Sequence, residues 1–208
     1  MKGENLLQFT EALHSAAPVP GGGGASAVTG ALGAALAGMV GNLTTGKKKY
    51  AAYEADIQEI LKKAGKLWRE LLDLAEKDAA AFEPLARAYG MPRNTPEESE
   101  ERERVLQACL RGAVQAPLDM VRRIMEAVAL HEELVVKGSA MMISDVGTGA
   151  ALLRGALEGA AMNILVNTRL MSDRAYADEL NMWTDQTVAE GIRRTEAIYR
   201  AVIEKLRS

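Results

Sequence analysis

The sequence predicts an all-α protein, an antiparallel bundle of long helices, on three observations. Apolar residues recur at three- and four-residue spacing from end to end, the period of a helix face. No run alternates apolar and polar residues between turn signals, so nothing suggests a sheet. Hydrophobic residues make up 48% of the chain but aromatics only 4%. The core is therefore built from Ala, Leu, Val, Ile and Met, most of them good helix formers. At 208 residues, one domain spanning 1–208 is expected.

Six principal helices follow in order. The first covers about Asn5 to Ser15, turns Leu6, Phe9 and Leu13 inward, and ends before Pro18-Val19-Pro20. The second opens in the run Gly21 to Gly24 and continues to about Thr44. The third spans roughly Lys48 to Tyr89, with Pro84 expected to kink or interrupt it. The fourth begins at Thr95-Pro96-Glu97-Glu98, where Thr95 caps, Pro96 suits the first turn and the acids face the positive helix end. It runs to about Lys137, with a bend expected at Pro117. The fifth covers Ser144 to Leu170 and the sixth Asp173 to Leu206. Short connections make neighbours antiparallel.

Composition excludes several classes. The net charge of −3 comes from intermixed charges of both signs, and no basic block with interleaved aromatics is present, so nucleic acid is not an expected partner. Cys109 is alone and forms no intrachain disulfide, which fits a reducing compartment. The opening segment lacks the continuous apolar stretch of a signal peptide, and the expected location is the cytoplasm. Asn42-Leu43-Thr44 matches a glycosylation sequon by chance in such a setting.

The second helix is the least ordinary segment, because no charged residue occurs between Glu11 and Lys47. It approaches a bilayer span in length. Yet it is mostly Ala and Gly, which partition weakly into lipid, so a helix buried in a soluble protein is expected, with no membrane partner. Its small residues recur four apart, as in Gly30-Ala34-Gly38 and Gly33-Ala37-Gly41. The fifth helix repeats the device at Gly147, Ala151, Gly155 and Gly159, and Asn163 and Asn167 continue the stripe. Each glycine costs roughly 1 kcal/mol against alanine inside a helix. Tight helix or subunit packing explains such a stripe; so does close approach of backbone to a flat ligand.

The chemistry-bearing motifs are few. His14 and His131 are isolated and lack the spacing of a helical zinc site, so no metal is expected. Gly41-Asn42-Leu43-Thr44-Thr45-Gly46-Lys47 imitates a phosphate-binding loop, but Lys48 stands where Ser or Thr should hold magnesium and a helix precedes it instead of a strand. What remains is a turn at Gly46 followed by Lys47, Lys48 and Lys49, a cluster able to meet carboxylates or simply a solvated helix start. Cations are unfavourable at a helix N-terminus unless an anion answers them. The run Gly21 to Gly24 offers backbone N–H groups to an anion or a polar ring edge. Ser144-Asp145 reads as a helix cap or as one rim of a cleft.

Taken in order, PVPGGGGASAVTGALGAALAGMVGNLTTGKKKY, DAAAFEPLARAYGMPRNTPEESEERERVLQACLRGAVQAPLDMV and SDVGTGAALLRGALEGAAMNILVNTRLM resemble the cyclodeaminase/cyclohydrolase family of folate enzymes. The match covers most of the chain; Gly24-Ala25-Ser26 departs from the Gly-Ser-Ala frequent in the family. The resemblance implies an all-helical homodimer acting on a reduced folate, polyglutamylated forms included, with no cofactor beyond that tetrahydrofolate substrate. It implies cyclisation of 5-formimidoyltetrahydrofolate to 5,10-methenyltetrahydrofolate with release of ammonia. The alternative is the cyclohydrolase reaction that interconverts 5,10-methenyl- and 10-formyltetrahydrofolate; a non-enzymatic folate-binding or assembly module is the third reading.

Under that resemblance, Asp145 in the SDVGTG match is the first candidate for the acid/base and Asp78 in the DAAAF match the second, with Lys48 the inward cation of the catalytic set. Substrate contacts fall to Gly21, Gly22, Gly23, Gly24 and Ser26, to Lys47 and Lys49 for the glutamyl carboxylates, and to Ser144, Thr148 and Asn163.

Overall fold

The computed structural model describes residues 5–208, and these form seven α-helices with no strand among the described residues. They are α1 (Leu6–His14), α2 (Gly22–Asn42), α3 (Glu54–Tyr89), α4 (Pro96–Ala113), α5 (Gln115–Lys137), α6 (Ile143–Thr168) and α7 (Arg174–Arg207). Short 3-10 turns at Lys48–Tyr53 and Ala140–Met142 lead into α3 and α6.

Three expectations are corrected. The predicted fourth helix is two, α4 and α5, divided at Val114. Pro117 has no N–H to give to the carbonyl of Ala113, and the ladder opens there instead of bending. Pro84, by contrast, interrupts nothing, because α3 runs unbroken through it for 36 residues. Ser144 is not a cap: α6 already begins at Ile143, behind a 3-10 turn, and no side chain caps it. The cap at Thr95 is formed as expected, with Glu98 N–H donating to Thr95 Oγ1 at 3.2 Å and Thr95 N–H to Glu98 Oε2 at 3.3 Å.

The helices α2 and α6 form the centre of the bundle, and both are long and apolar enough to cross a membrane by length and composition. Half or so of each is instead buried against the other helices. Their small residues make this possible. A Cβ added to Gly33 would lie 2.7 Å from Leu153 Cγ, one on Gly41 2.9 Å from Leu61 Cδ2, and one on Gly147 2.9 Å from Val202 Cγ1. Each helix therefore approaches its neighbour's side chains with its own backbone. Gly159 meets Ser26, Gly149 meets His131, and α2 runs antiparallel to α6. The packing reading thus holds along the α2 stripes and at Gly147 and Gly159 of α6, whereas Ala151 and Gly155 are exposed.

Around this pair, Ile57, Ile60, Leu67 and Leu71 of α3, Met120, Val121, Ile124 and Leu134 of α5 and Ile198 and Val202 of α7 complete one continuous core. His131 is a core residue, fully buried, and its Nε2–H donates to the Gly33 carbonyl at 2.9 Å. Arg194 of α7 grips Glu132 of α5 with two hydrogen bonds of 2.7 and 2.6 Å.

Candidate active site

Antiparallel packing brings the N-terminus of α2, the C-terminal half of α6 and the last third of α3 to one end of the bundle, and a cleft of about 200 Å3 opens between them. Gly21, Gly22 and Gly23 form its floor, with Asp78, Phe82, Leu85 and Tyr89 on the α3 wall. Asn163, Val166 and Asn167 face them from α6, and Pro18, Val19 and Ala113 close the rim.

Asp78 is the only ionisable carboxyl in this lining. It sits so close to α2 that a Cβ on Gly23 would lie 2.6 Å from its Cγ. Burial pushes its carboxyl up from 3.8 to about 6, and no hydrogen bond or cation offsets that burial. A group in this range holds or releases a proton near neutrality, the property required of a general acid/base.

The amide side chains opposite are fixed by their own helix. Asn163 Nδ2 donates to the Gly159 carbonyl at 2.8 Å and Asn167 Nδ2 to the Asn163 carbonyl at 2.7 Å. Each Nδ2 keeps its second N–H, and both residues retain Oδ1 as an acceptor. Asp78, Asn163 and Asn167 together give the cleft a polar wall whose only charged group is a carboxyl, suited to a ligand that presents N–H groups or carries positive charge. Phe82, Tyr89, Leu85 and Val166 supply apolar surface for a flat ring. The N-terminal turn of α2 has no side-chain cap, because its N-cap is Gly21, so backbone N–H groups remain there for a ligand.

The sequence-predicted residues divide into two groups. Gly21, Gly22, Gly23, Asp78 and Asn163 meet in the cleft. Gly24 lies under Pro20 and Phe9 instead. Ser26 is buried, donates its hydroxyl to the Gly22 carbonyl at 2.7 Å and seats against Gly159, so it spaces α2 from α6. Asp145, Ser144 and Thr148 stand on the first turns of α6; Asp145 is eighteen residues before Asn163, a separation of about 27 Å along a helix. Thr148 Oγ1 donates to the Ser144 carbonyl at 3.0 Å.

Lys47, Lys48 and Lys49 follow α2's far end, where Lys47 Nζ donates to Ser139 Oγ at 3.3 Å. The preceding turn closes as expected at Gly46, whose φ is +74°. Its N–H is answered by Glu54 Oε2 at 2.9 Å, and Thr45 Oγ1 also bonds Glu54. A carboxylate of the protein thus fills the place a phosphate would take in a nucleotide loop.

Sequence reasoning missed Asn167, Phe82, Leu85 and Tyr89 as lining residues. Asn167 had a signal, one turn beyond Asn163 on the same stripe; the three α3 residues fall at helical spacing from Asp78 and become legible only once Asp78 is placed. No group of three or more His, Cys, Asp or Glu able to hold a metal occurs among the described residues.

The formiminotransferase-cyclodeaminase family model matches residues 5–186. Methenyltetrahydrofolate cyclohydrolase of Methylorubrum extorquens is 40% identical over 203 residues, which is 98% of each chain. Formimidoyltransferase-cyclodeaminase of Rattus norvegicus is 31% identical over 84% of this chain but only 32% of its own length. Among solved structures, the formiminotetrahydrofolate cyclodeaminase of Thermotoga maritima superposes with a TM-score of 0.81 at 28% identity, covering 99% of this chain and 97% of that one. An all-helical bundle with an unpartnered carboxyl on a glycine-floored cleft, matched along its length by these relatives, belongs to the formiminotransferase-cyclodeaminase family.

Proposed function

We propose that the protein is a methenyltetrahydrofolate cyclohydrolase, which adds water to 5,10-methenyltetrahydrofolate and opens the ring to 10-formyltetrahydrofolate. The observation that carries the reading is Asp78, a half-buried carboxyl with no hydrogen-bond partner, raised to about 6 and lining the same cleft as Asn163 and Asn167. The similarity to the Methylorubrum cyclohydrolase over 98% of both chains favours this member of the family's pair of reactions.

The pterin lies against Phe82 and Tyr89 on one side and the backbone of Gly21 to Gly23 on the other. Its N–H groups donate to Asn163 and Asn167, and the cationic methenyl carbon faces Asp78. Ionised Asp78 takes a proton from water as the oxygen bonds to that carbon, giving a neutral tetrahedral hydroxyl adduct. Asp78 returns the proton to N5 as the carbon–N5 bond breaks. The adduct hydroxyl loses its own proton to solvent and becomes the formyl oxygen on N10. The balance is one cation and one water consumed, one neutral product and one proton released.

A second reading is favoured by the Thermotoga structure. In cyclodeamination N10 attacks the N5-formimino carbon, N10 loses its proton, and a proton passes to the departing amine, which leaves as ammonia. The tetrahedral carbon occupies the same place, and Asp78 serves as the proton carrier. In this reading the acid/base moves from Asp145 to Asp78. The protein acts in the cytoplasm on a reduced folate, as a homodimer and without a further cofactor.

Both substrates offered to the pure protein decide between the reactions. Hydrolysis of methenyltetrahydrofolate without ammonia release from formimidoyltetrahydrofolate is expected. Ammonia release alone gives the cyclodeaminase, and turnover of neither substrate overturns both.

A further inference from the structure

Contacts between α2 and its two neighbours fix the height of each side chain in the cleft. Gly33 meets Leu153, Ser26 meets Gly159 and Gly22 meets Asn163, so residue numbers fall along α6 as they rise along α2. On the other flank, Gly41 meets Leu61, Gly30 meets Leu71 and Gly23 meets Asp78, the same antiparallel register against α3. Asp78 and Asn163 therefore stand at one level, against consecutive glycines whose Cα atoms are about 3.8 Å apart. One turn further, about 6 Å along either helix, Phe82 comes level with Val19 and Asn167 with Pro18, and all four line the cleft. The two asparagines, alike in the sequence, thus lie at different heights: Asn163 at the level of the carboxyl, Asn167 at the level of the Phe82 ring.

A water that adds to a methenyl carbon has two hydrogens, and its lone pair is aimed at the carbon only when both are held. Asp78 takes one of them. The lining has no other carboxyl, no lysine and no arginine, and its other titratable side chain, Tyr89, stands eleven residues up α3, about 16 Å along the helix. The second acceptor at the level of Asp78 is Asn163. Its Nδ2 is tied to the Gly159 carbonyl at 2.8 Å, and a Cβ on Gly22 would stand 3.6 Å from Nδ2 and 3.8 Å from Oδ1. The amide is thus seated on the glycine floor, and Oδ1 has two lone pairs, one for a pterin N–H and one for a water hydrogen.

We propose that Asn163 positions the attacking water, its Oδ1 accepting one hydrogen while Asp78 takes the other as a proton, and that Asn167, one turn away, contacts the pterin only. The assignment rests on the cyclohydrolase reaction proposed above. As the oxygen–carbon bond forms, the proton on the Asp78 side moves to the carboxylate, and the hydrogen on the Asn163 side stays on oxygen. Asn163 holds it there through the tetrahedral adduct, and it leaves to solvent as the carbon–N5 bond breaks and the formyl oxygen forms.

Matched variants of the full chain test this. Asn163 and Asn167 each spend Nδ2 on the carbonyl four residues back, at 2.8 and 2.7 Å, so the same change at either removes the same helix bond and any difference reports position. Asn163→Ala is expected to lower kcat for methenyltetrahydrofolate about a hundredfold. Asn167→Ala is expected to raise KM about tenfold and to leave kcat unchanged. Asn163→Asp sets a second carboxylate at the level of Asp78, where like charge opposes ionisation. The acid limb of its kcat/KM against pH, which follows ionisation of Asp78 near 6, is expected to move up by about one pH unit, and that of Asn167→Asp by less. In ligand-free protein labelled with carbon-13, the Asp78 carboxyl signal, identified by its loss in Asp78→Asn, is expected to titrate in the same order without any turnover. Wild-type kcat in Asn163→Ala, or equal loss of kcat in the two alanine variants, overturns the water role. Equal displacement of the carboxyl signal in the two aspartate variants overturns the pairing of Asn163 with Asp78, whichever folate is turned over. A wild-type protein that releases ammonia and hydrolyses no methenyltetrahydrofolate overturns the function on which the water role rests, with the carboxyl titrations still ordered as above.

Discussion

The carboxyl of Asp78 occupies the space that a side chain on Gly23 would take: a Cβ there would fall 2.6 Å from Asp78 Cγ. The glycine is thus what lets the α2 floor and the carboxyl on the α3 wall meet in the cleft. Gly23→Ala is expected to fold but to push Asp78 aside, lowering kcat by roughly a hundredfold, the scale of a misplaced catalytic group. Gly38→Ala on the same helix is the control, since it lies outside the cleft and its Cβ would meet Ala64 Cβ at an ordinary 3.7 Å. Steady-state kinetics on both variants check the contrast; equal effects would dissociate Gly23 from Asp78.

Asp78→Asn is expected to lower turnover about 10²- to 10⁴-fold, the range for loss of a general acid/base. The same change should raise stability at pH 7. A carboxyl moved from 3.8 to about 6 on folding keeps its proton more firmly in the native state. Its contribution is therefore most favourable below the unfolded value and is lost as pH rises from about 4 through 6. Removing the charge should recover roughly 1–3 kcal/mol above pH 6, the shift discounted for partial solvent access. Denaturant titrations at pH 5 and 7.5 test this: the gain should appear at the higher pH and shrink at the lower.

His131 shifts in the opposite direction for a base. Burial holds its imidazole below the ordinary 6.5 despite the carbonyl of Gly33, so the fold favours the neutral ring. That stability is present above the unfolded value and lost as pH falls below it. A wild-type Tm that declines below about pH 6 is expected, with a smaller decline in His131→Gln. Gly149→Ala should also destabilise, by about 1–3 kcal/mol, because its Cβ would stand 2.6 Å from His131 Nε2. An unchanged Tm would show that the ring moves freely.

Arg194→Lys tests the tie between α5 and α7. A lysine keeps the charge but cannot form the two parallel bonds to Glu132. A loss of about 1 kcal/mol is expected, measured by urea unfolding against Arg193→Lys, whose partner is the exposed Glu190 on its own helix.

Fold class and most helix limits were legible because period, caps and breakers act locally. Thr95 capped and Gly46 turned as their chemistry requires. Pro84 and Pro117 were not separable by the same means. Each removes one ladder hydrogen bond, and only packing decides whether the helix continues. For the site, the glycine run, Asp78 and Asn163 were named from the sequence, but with Asp145 ranked above Asp78. Both carry the same side chain on a helix. The difference is placement: Asp78 is set in the cleft with Gly23 and Asn163, 55 and 85 residues away in the chain, where desolvation raises its carboxyl. Ser26 failed for a similar reason: its hydroxyl finds a carbonyl in its own helix before any ligand.

The glycine contacts along α2 set the spacing of the bundle by main chain. Where exposed side chains separate two helices, a bulkier residue is absorbed by a change of rotamer; where Gly33 meets the fully buried Leu153 and Gly30 the fully buried Ile124, there is little to yield but the helix itself. A methyl group added at either place would shift a rigid rod whose opposite tip carries Gly22 and Gly23. Lesions far from the reacting carbon should then surface as lost turnover before they surface as lost folding.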